Sequence, residues 1–571
     1  MISEKESSLQ IVYTNKAKCL DCNRCVRVCP VKAIRIKNSQ AFVDWEKCIV
    51  CGNCVNECPQ SAKTYRNDIF TVQELLKSDK PTAVIVAPAY AAIMEPWQSV
   101  RLASVLRYIG FKYIAEAASF ASDVAYATLE YHKESKSSVI TSSCPAVVSY
   151  VEKYQPHAIG NLAKVKSPMV ATAEYLKNHL GNNWNIVFIG PCIAKKYESV
   201  RIENRNLFDA VLTFDEMYDL FNEFSIEQAR FEESSFDLTA GDNEKLFPAL
   251  SGFLKAANMK TESFSNEFLS ADGIEEIKNI IDYVAETQKP VIVEALFCKH
   301  GCINGPGCST KTNIYQRKNN LINYFNKKEF ELNSVEHEKP ELRTIFNNNL
   351  SIKQPIYTED EILNVLEKIG KSNPEDRLDC TSCGYDSCRD KAIAVLSGMA
   401  EPEMCVSFIR KRSETKADKI LQQSPNGIVI VDDNYNIIAM NQAFRKMFMC
   451  SNSNIGKPIS MIMDPEPFIK FNSAENDKFE ITKKYDNFNI ICHHIIYSLK
   501  EEKKLVGVFV NITNVISNKE KIDSLKKETI LKATELLDHQ IIMSQRIAKL
   551  LGDSTAQSEE LINNLLKLTN D

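Results

Sequence analysis

The sequence predicts a multidomain protein of mixed α+β and α/β class. Its cysteines fall into separate groups with regular short spacings, which indicates small cysteine-rich modules. The middle of the chain alternates apolar, β-branched runs with helical stretches, and the last third combines short strands with amphipathic helices. With 571 residues, 44% of them hydrophobic and 25% charged, the chain is long enough for several compact domains.

Charge and composition limit the possible partners. The formal net charge is −5 and the isoelectric point is near 6.0, so we expect no nucleic-acid partner. No apolar run is long enough to cross a bilayer, and the polar N-terminus lacks the core of a signal peptide. The 19 cysteines cluster at ligand-like spacings, which indicates metal binding rather than disulfides. We therefore expect a cytoplasmic protein with no membrane partner.

The first element, expected over residues 9–68 after a disordered segment 1–8, contains two runs of the form C-x2-C-x2-C-x3-C-P. The runs comprise Cys19, Cys22, Cys25 and Cys29, and Cys48, Cys51, Cys54 and Cys58. They resemble the two-cluster bacterial ferredoxin pattern, in which the fourth cysteine of each run ligates the other cluster. The resemblance implies one 4Fe-4S cluster on Cys19, Cys22, Cys25 and Cys58, and another on Cys48, Cys51, Cys54 and Cys29. The alternative, a zinc or disulfide module, pairs shorter C-x2-C elements.

The second element, expected over residues 69–348, begins with a helical linker near Thr71. Its strand-like runs are TAVIVAPA, SSVIT, NIVFIG, FDAVLTF and PVIVEALF, and SVRLASVLRYIG and PMVATAEYLKNHLG show helical spacing. Cys144, Cys192 and Cys298 each follow a strand-like run, and Cys302 lies four residues further on. A doubly wound sheet would gather these cysteines at the carboxyl ends of its strands. Four converging thiolates would form a cradle for a metal cluster.

The segments TSSCPA, GPCIAKKYE and LFCKHGCINGPG resemble, in this order, the three signatures of the FeFe-hydrogenase active-site domain. The resemblance implies that Cys144, Cys192 and Cys298 ligate a 4Fe-4S cubane. Cys302 would bridge that cubane to a two-iron subsite with carbonyl, cyanide and dithiolate ligands, the whole being the H-cluster. The alternative is an ordinary α/β enzyme with incidental buried cysteines, since free cysteine is often a small core residue.

Other residues of the cofactor site follow from the same resemblance. Lys195 matches a lysine that donates to an iron-bound cyanide, a role that suits a multi-donor cation. Ala87 and Pro88 match a loop that packs against the other cyanide. Three positions around the two-iron subsite differ from the family, which has two methionines and a glutamine there. These positions are Gly190, Leu296 and Met169.

The chain departs from the family along the route of proton transfer. Catalytic members have a cysteine thiol at the position of Ser143, and a serine hydroxyl ionises far less readily. A relay glutamate aligns near Thr128 and a relay serine at Ala163, so that only Glu198 remains of that route. Neutral drift in a slow enzyme would explain these changes. We favour a sensing role, because several relay positions change together while every expected metal ligand is retained.

A third cysteine group is expected over residues 349–412. Cys380, Cys383, Cys388 and Cys405 form a C-x2-C-x4-C-x16-C array. With the Gly-Tyr pair after its second cysteine, the array resembles a small 4Fe-4S module of redox complexes and anaerobic regulators. A tetrathiolate zinc site is the alternative, since zinc tolerates varied spacing. As a third cluster outside the active site, it would carry a redox state out of the hydrogenase domain.

The segment expected over residues 413–516 gives a strand, an Asp-Asp-Asn turn, a strand and a helix, and closes with the strand LVGVFVNIT. It resembles a PAS sensor domain, including Asn441 at the start of its first helix. Cys450, Cys492, His493 and His494 do not indicate haem or another metal group, because adjacent histidines in a strand point to opposite faces.

Residues 517–571 are expected to be helical. The apolar stripe of Ile530, Ala533, Leu537, Ile541, Ser544, Ile547 and Leu551 ends at Gly552. Such a stripe usually pairs with its own copy or with a partner helix, which predicts a homodimer or an output connector. His539 lies in a charged context and no kinase motif follows it, so phosphotransfer on this chain is not expected.

Together these features predict a sensory FeFe-hydrogenase of low turnover and of the ferredoxin hydrogenase type. H2 and protons would react at the H-cluster, and electrons would pass through the 4Fe-4S clusters. Its partners would be a ferredoxin or other electron carrier, H-cluster maturation proteins, and a downstream kinase or phosphatase. An ordinary ferredoxin-linked hydrogenase with an assembly tail is the alternative. A scaffold that never receives its two-iron subsite is a third interpretation, against which Cys302 and Lys195 argue.

Overall fold

The computed structural model describes residues 10–259, 267–309, 312–326, 339–346, 350–353, 355–472, 478–499, 504–513, 532–548 and 562. The chain divides into two compact units, residues 1–406 and 407–571. Helices and sheets occur in both units, and the predicted mixed α+β and α/β class is confirmed. The segment expected at residues 1–8 lies outside the described residues.

The first cysteine-rich part contains two small antiparallel pairs of strands. They pair β1 with β4 and β2 with β3. The strands are β1 (Val12–Thr14), β2 (Ile34–Lys37), β3 (Gln40–Val43) and β4 (Lys63–Tyr65). Short helices, Arg24–Val28 and Asn53–Asn56, lie within the two cysteine runs. The cysteines therefore lie mainly in loops and short helices, where the backbone can wrap around a group.

The following part of the first unit contains two parallel sheets rather than one. Their strands are β5 (Thr82–Val86), β6 (Tyr113–Glu116), β7 (Val139–Ile140), β8 (Asn185–Gly190), β9 (Ala210–Thr213), β10 (Phe268–Asp272) and β11 (Ile292–Leu296). The orders are β6-β5-β8-β9 and β10-β11-β7. The predicted runs do form strands, but the expectation of a single doubly wound sheet is wrong. Apolar runs reveal the strands, whereas the pairing of parallel strands depends on long-range contacts.

Helices cover these sheets, and β5, β8, β9 and β11 are buried along their whole length, as expected for parallel strands packed on both faces. The longer helices are Ile69–Lys77, Leu102–Ile109, Ala121–Ser135, Pro145–Tyr154, Pro168–Leu180, Ala194–Val200, Phe214–Glu223, Ile274–Glu286 and Ile314–Asn326. The short ones are Tyr90–Ile93, Pro96–Ser99 and Gly252–Ala256. The predicted linker helix is thus present at Ile69–Lys77.

The last part of the first unit contains helices Glu359–Lys368 and Cys388–Leu396. Its buried residues Tyr385 and Met399 belong to the same apolar core as Ile34 of β2 and Val147 of helix Pro145–Tyr154. One hydrophobic core therefore joins the first cysteine-rich part, the three-stranded sheet and the last cysteine group.

The second unit has a five-stranded antiparallel sheet of order β13-β12-β16-β15-β14. Its strands are β12 (Gly427–Val431), β13 (Ile437–Met440), β14 (Lys478–Tyr485), β15 (Ile490–Leu499) and β16 (Lys504–Asn511). Its helices are Gln442–Met447 and Glu466–Asn472, and helix Val406–Gln423 leads into it along the chain. As predicted, Asn441 caps the first of these helices, accepting a hydrogen bond from Phe444 N at 2.9 Å.

Residues 532–548 are helical, as expected for the C-terminal segment. Leu537 of the predicted stripe is buried and packs against Ile495, Val506 and Val508 of the five-stranded sheet. Ile530, Leu551 and Gly552 lie outside the described residues. Within the described part of the chain, we find no helix long and apolar enough to span a membrane.

Candidate functional site

Three of the four central cysteines lie just beyond the carboxyl ends of strands from both parallel sheets. Cys144 follows β7 and occupies the N-cap of helix Pro145–Tyr154, Cys192 follows β8, and Cys298 follows β11. Cys302 opens a single turn of helix four residues later. The edge at which the two sheets meet therefore gathers the cysteines that the sequence predicts as ligands.

The four thiols are close enough to influence one another electrostatically. Burial, and after it the charge of Cys144, raise the pKa of Cys192 to about 12. Burial also raises the pKa of Cys298 and of Cys302, and each is raised further by the charges of the other members of the set. Buried thiolates require a compensating positive charge, and iron bound by thiolates supplies it. The set therefore fits an iron-sulfur cubane.

Lys195 lies at the edge of this cradle with its ammonium group directed inward. Its Nζ lies 2.6 Å from Glu198 Oε2, an ion pair between side chains that are 13% and 9% exposed. It also donates to Ser167 Oγ at 3.1 Å and to Ser143 O at 3.4 Å. The short Nζ–Oε2 distance identifies an ion pair, although Glu198 Oε2 accepts no hydrogen bond among the described residues. Lys195, the predicted cofactor lysine, thus contacts both the retained relay residue Glu198 and the substituted relay position Ser143.

Most of the remaining predicted cofactor residues lie at or just beyond the carboxyl ends of parallel strands. Ala87 and Pro88 follow β5, and Ala87 N donates to Ile189 O at 2.8 Å, which ties this loop to β8. A Cβ added to Gly190 would lie 3.1 Å from Ala87 Cβ and 2.6 Å from the Phe188 ring, so the backbones approach closely there. Met169 and Leu296 are buried, at 2% and 7% exposure. Their roles toward a bound group remain predictions.

The substituted relay positions do not connect to the cradle through side-chain hydrogen bonds of their own. Thr128 Oγ1 donates to Val124 O of its own helix at 2.8 Å. Ala163 is fully buried and carries no polar side-chain atom. Ser143 is half-buried beside Cys144. A cavity of about 30 Å³ lies next to Glu198, lined among others by Ser167, Glu198, Arg201 and Glu203. It has room for a water molecule.

The neighbours of two buried cysteines are consistent with the two crossed ligand sets predicted from the sequence, which stay a prediction. Cys25 has a pKa raised by burial to about 11 and is also influenced by Cys22, Cys19 and Cys58. Burial raises the pKa of Cys54, and the charges of Cys48 and Cys29 add to it. We call Cys19, Cys22, Cys25 and Cys58 the outer set, and Cys29, Cys48, Cys51 and Cys54 the inner set.

Backbone amides point at several of these sulfur atoms. Ala33 N donates to Cys29 Sγ at 3.2 Å, Val50 N to Cys48 Sγ at 3.3 Å, and Ala62 N to Cys58 Sγ at 3.2 Å. Hydrogen bonds of this kind favour the thiolate form that binds iron. Both sets therefore fit 4Fe-4S clusters.

The inner set faces the central cradle. Cys51 is one of the thiols whose charge raises the pKa of Cys298, after burial and the cradle cysteines. Gly52 has φ +80°, and a Cβ there would lie 2.5 Å from Pro306 Cβ, so the two loops touch at a position that only glycine fits. The inner set therefore lies next to the cradle.

Helix Pro145–Tyr154 connects the cradle to the inner set, a link that sequence reasoning missed. The helix begins directly after Cys144, and near its other end Lys153 Nζ donates to Glu46 O and Cys48 O, both at 2.7 Å. Tyr154 OH donates to Lys47 O at 2.6 Å. Lys153 is only 5% exposed. The sequence carries no signal for this contact, because a helical lysine ordinarily lies in solvent.

The last cysteine group is also partly assembled. Burial raises the pKa of Cys383, and the charges of Cys405 and Cys380 add to it. Cys388 begins the helix that carries Lys391. Burial lowers the pKa of Lys391 to about 8, and the charges of Cys383 and Cys405 act in the opposite direction. In the described ranges, no three His, Cys, Asp or Glu side chains are placed to hold a single metal ion. A 4Fe-4S cluster binds each thiolate on a separate iron atom.

In the second unit, the adjacent histidines of β15 lie on opposite faces, as predicted. His493 Nδ1 lies 3.0 Å from Thr482 Oγ1 on the partly exposed face. His494 is fully buried between the rings of Tyr485 and Phe509. Neither ring nitrogen of His494 has a hydrogen-bond partner among the described residues. Two histidines so placed cannot bind one metal ion together.

The buried His494 predicts a pH dependence for this sheet. Burial lowers its pKa from 6.5 to about 4, so the folded state excludes a proton that the unfolded state binds. Stability is therefore highest above pH 6.5, falls progressively as the pH decreases from 6.5 to about 4, and changes no further through this group below that pH. Between pH 7 and pH 5 we expect the opening free energy of β15 and β16, from hydrogen exchange of the full chain, to fall by about 2 kcal/mol.

The His494→Leu variant should reduce this pH dependence, and His493→Leu, on the other face of the same strand, should leave it as in the wild type. An equal fall in His494→Leu and wild-type protein would contradict the assignment to His494.

Four segments of the chain match known protein families. Residues 80–306 match the model of the C-terminal domain of the iron-only hydrogenase large subunit. Residues 11–59 match a 4Fe-4S dicluster domain. Residues 376–407 match a model described as an Fe-S cluster, and residues 417–482 match a PAS domain. The chain thus combines an iron-only hydrogenase-like domain with 4Fe-4S and PAS domains, and the predicted resemblance is confirmed.

Relatives of two kinds share part of this chain. The NADP-reducing hydrogenase subunit HndD of Solidesulfovibrio fructosivorans is 26% identical over 354 residues, which cover 51% of this chain and 55% of that subunit. The chain thus spans about half the length of this relative. The cytosolic Fe-S cluster assembly factor NAR1 of Encephalitozoon cuniculi is 24% identical over 276 residues, covering 41% of this chain and 74% of that protein.

Among solved structures, the FeFe-hydrogenase HydA1 from Chlamydomonas reinhardtii is similar at 21% identity. The aligned region covers 44% of this chain and 88% of the HydA1 chain, with a TM-score of 0.35.

Proposed function

We propose that this chain, whose central domain matches the iron-only hydrogenase large subunit, is a sensor of H2 with low turnover. In this proposal an H-cluster is held by Cys144, Cys192, Cys298 and Cys302. Electrons pass to the 4Fe-4S clusters, and the changed redox state is signalled through the PAS domain to a separate kinase or phosphatase. A homodimer formed through the C-terminal helix would suit such an output.

One observation supports this function above the others. The predicted ligands and Lys195 lie near one another, whereas of the side chains expected to move protons there only Glu198 is retained. The substituted positions are Ser143, Thr128 and Ala163. A site that retains its ligands and loses its proton relay is suited to bind H2 and to react slowly.

When bound, the H-cluster would supply the reversible conversion of H2 into two protons and two electrons. Lys195 would help to orient it through its positive charge, and the donor now shared with Ser143 O at the long distance of 3.4 Å is the one that could turn to an anionic ligand. Glu198, paired with Lys195, borders the cavity that opens toward Glu203. A proton can leave by Glu198 and a water in that cavity, while the half-buried Ser143 hydroxyl offers no comparable acid.

Two other functions have specific support. The outer cysteine set, a complete ligand set, favours an ordinary ferredoxin-linked hydrogenase that exchanges electrons with a carrier. The similarity to an Fe-S cluster assembly factor favours a scaffold without the two-iron subsite. The first alternative predicts fast turnover, and the second predicts no iron-bound carbonyl or cyanide.

Infrared spectroscopy and rate measurements on protein matured with the H-cluster maturation proteins will separate these functions. We expect carbonyl and cyanide bands that change under H2, together with slow H2 oxidation and evolution. Fast turnover in both directions would identify an ordinary hydrogenase. Absence of the bands after maturation, with the other iron-sulfur clusters intact by iron content, would contradict both hydrogenase functions. A Cys302→Ala variant serves as the control that cannot bridge the subsite.

A further inference from the structure

The last cysteine group, residues 380–405, which we call the C-terminal module, lies against the first cysteine-rich part of the chain. Arg27 Nη1 donates to Ser382 O at 3.0 Å, and Lys32 Nζ donates to Gly384 O at 2.8 Å. Ile36 N, in β2, donates to Met399 O at 2.9 Å. The sequence predicts only that this module follows the hydrogenase-like domain. Its docking partner in the structure is the ferredoxin-like part.

The backbones of the two cysteine-rich parts also touch at residues that neighbour the cysteines in the sequence. Gly384 has φ +93°, and a Cβ added there would lie 2.8 Å from Val26 Cγ1 and 3.1 Å from Arg27 N. Gly384 directly follows Cys383, while Val26 and Arg27 lie between Cys25 and Cys29. A side chain at this position would separate the two modules, so glycine allows their backbones to touch.

Tyr385 fills the space beside this contact. It is 4% exposed and belongs to the same buried core as Cys29 and Val26, with Cys383 packed against it. Its hydroxyl has no hydrogen-bond partner among the described residues. After burial, the charges of Cys383 and Cys29 are the causes that raise its pKa. The ring therefore lies near a predicted ligand of each module.

Cys29 belongs to the inner set, and that set also faces the central cradle through Cys51 and Gly52. The inner set thus has neighbours on two sides: the cradle on one and the C-terminal module on the other. The outer set continues toward solvent, since Cys22 is exposed and Cys19 is half-buried.

We propose that the inner set is the branch point of the electron path, and that the C-terminal module takes its electrons from it past Tyr385 rather than directly from the H-cluster. The inference rests on the proposed function. Oxidation of one H2 releases two protons and two electrons, and each 4Fe-4S cluster is reduced by one electron at a time. The electrons can leave through the outer set to a soluble carrier or through the C-terminal module.

This branch gives the ferredoxin-like part a role in a sensor. Cys405 directly precedes helix Val406–Gln423, which leads along the chain into the PAS domain. The exit through the C-terminal module is therefore the one that is continuous with the output part of the chain. The outer set would return the sensor to its oxidised state by passing electrons to a carrier.

Electron paramagnetic resonance on the full, matured chain tests the branch. In protein reduced by dithionite, we expect a spin-spin interaction between the inner cluster and the C-terminal cluster. This interaction should be lost in Cys380→Ser/Cys383→Ser, which removes the module's cluster. In Cys48→Ser/Cys51→Ser, which removes the inner cluster, H2 should leave the C-terminal cluster oxidised while dithionite still reduces it. Reduction of that cluster by H2 at the wild-type rate would overturn the proposal.

A milder double variant, which keeps every predicted cluster ligand, tests the same contact in case the cysteine variants misfold. Arg27→Ala/Lys32→Ala removes two docking hydrogen bonds and no ligand, and should weaken the interaction and delay reduction of the C-terminal cluster by H2. Arg24 lies on the same short helix as Arg27 but pairs with Glu57 rather than with the module. The control variant Arg24→Ala should therefore behave as wild type. An unchanged interaction in Arg27→Ala/Lys32→Ala would count against the docking route.

The same measurements distinguish failure of this inference from failure of the proposed function. If H2 reduces no cluster in wild-type protein, the proposed function fails, and the interaction under dithionite still decides whether the inner and C-terminal clusters are neighbours. If H2 reduces the wild-type clusters but the interaction is absent, the sensor function stands and the branch is wrong.

Discussion

Ser143→Cys should raise the rate of hydrogen evolution by about tenfold or more, the scale expected for a positioned acid-base group. Ser143 is half-buried beside Cys144, and its backbone oxygen accepts a hydrogen bond from Lys195. A thiol there ionises near pH 8.5 and can pass a proton, which a serine hydroxyl does poorly. The measurement is hydrogen evolution with a reduced dye in matured protein whose infrared bands match those of the wild type.

The neighbouring serine provides the matched control. Ser142 is buried and its Oγ donates to Val165 O at 2.6 Å, so Ser142→Cys should not accelerate hydrogen evolution. An unchanged rate in Ser143→Cys, with the cofactor inserted normally, would mean that another step limits turnover. Because Thr128 and Ala163 are also altered, we expect the variant to recover only part of the activity of a complete relay.

Lys196→Met should destabilise the first unit by about 3–5 kcal/mol, because it leaves the buried Glu216 carboxylate without its cation, whereas Asp68 keeps its ion pair with Arg66. Lys196 is fully buried, and its Nζ lies 3.0 Å from Glu216 Oε1 and 3.2 Å from Asp68 Oδ2. It also donates to Val211 O of β9. Asp68 precedes the linker helix, so this lysine connects the ferredoxin-like part to the hydrogenase-like domain.

Denaturant unfolding under anaerobic conditions, followed by tryptophan fluorescence, measures this effect. The three tryptophans, Trp45, Trp97 and Trp184, all lie in the first unit. Lys77→Met is the control, since Lys77 forms an exposed ion pair with Glu74 and should change stability by less than about 1 kcal/mol. Equal unfolding midpoints for Lys196→Met and Lys77→Met would show that the buried network contributes little.

The two adjacent lysines of the GPCIAKKYE motif show how far the sequence alone can be interpreted. Lys195 is predicted to reach the cofactor from its position in the motif, and the structure directs it toward the cradle. Lys196 has no such pattern, and its burial follows only from the packing of its helix on β9 and on the linker. The sequence of a segment can indicate which residue types a site needs. It does not indicate which of two adjacent residues, such as Lys195 and Lys196, points into the core.

The sequence by itself determines the ligands and the missing relay. Spacings such as C-x2-C-x2-C-x3-C place several ligands within one loop, so a local pattern is enough to identify them. The identity of position 143 is likewise a local fact, and so is the order of the strands and helices along the chain.

Only the tertiary structure decides which groups become neighbours. Arg27 meets Ser382 across 355 residues of sequence, Cys51 lies near Cys298, and the parallel strands divide into two sheets rather than one. Such contacts depend on how whole domains pack, and no local spacing encodes them. The sequence therefore predicts which residues can hold the clusters, while the packing of these parts over a shared core decides which of the predicted ligand sets become neighbours.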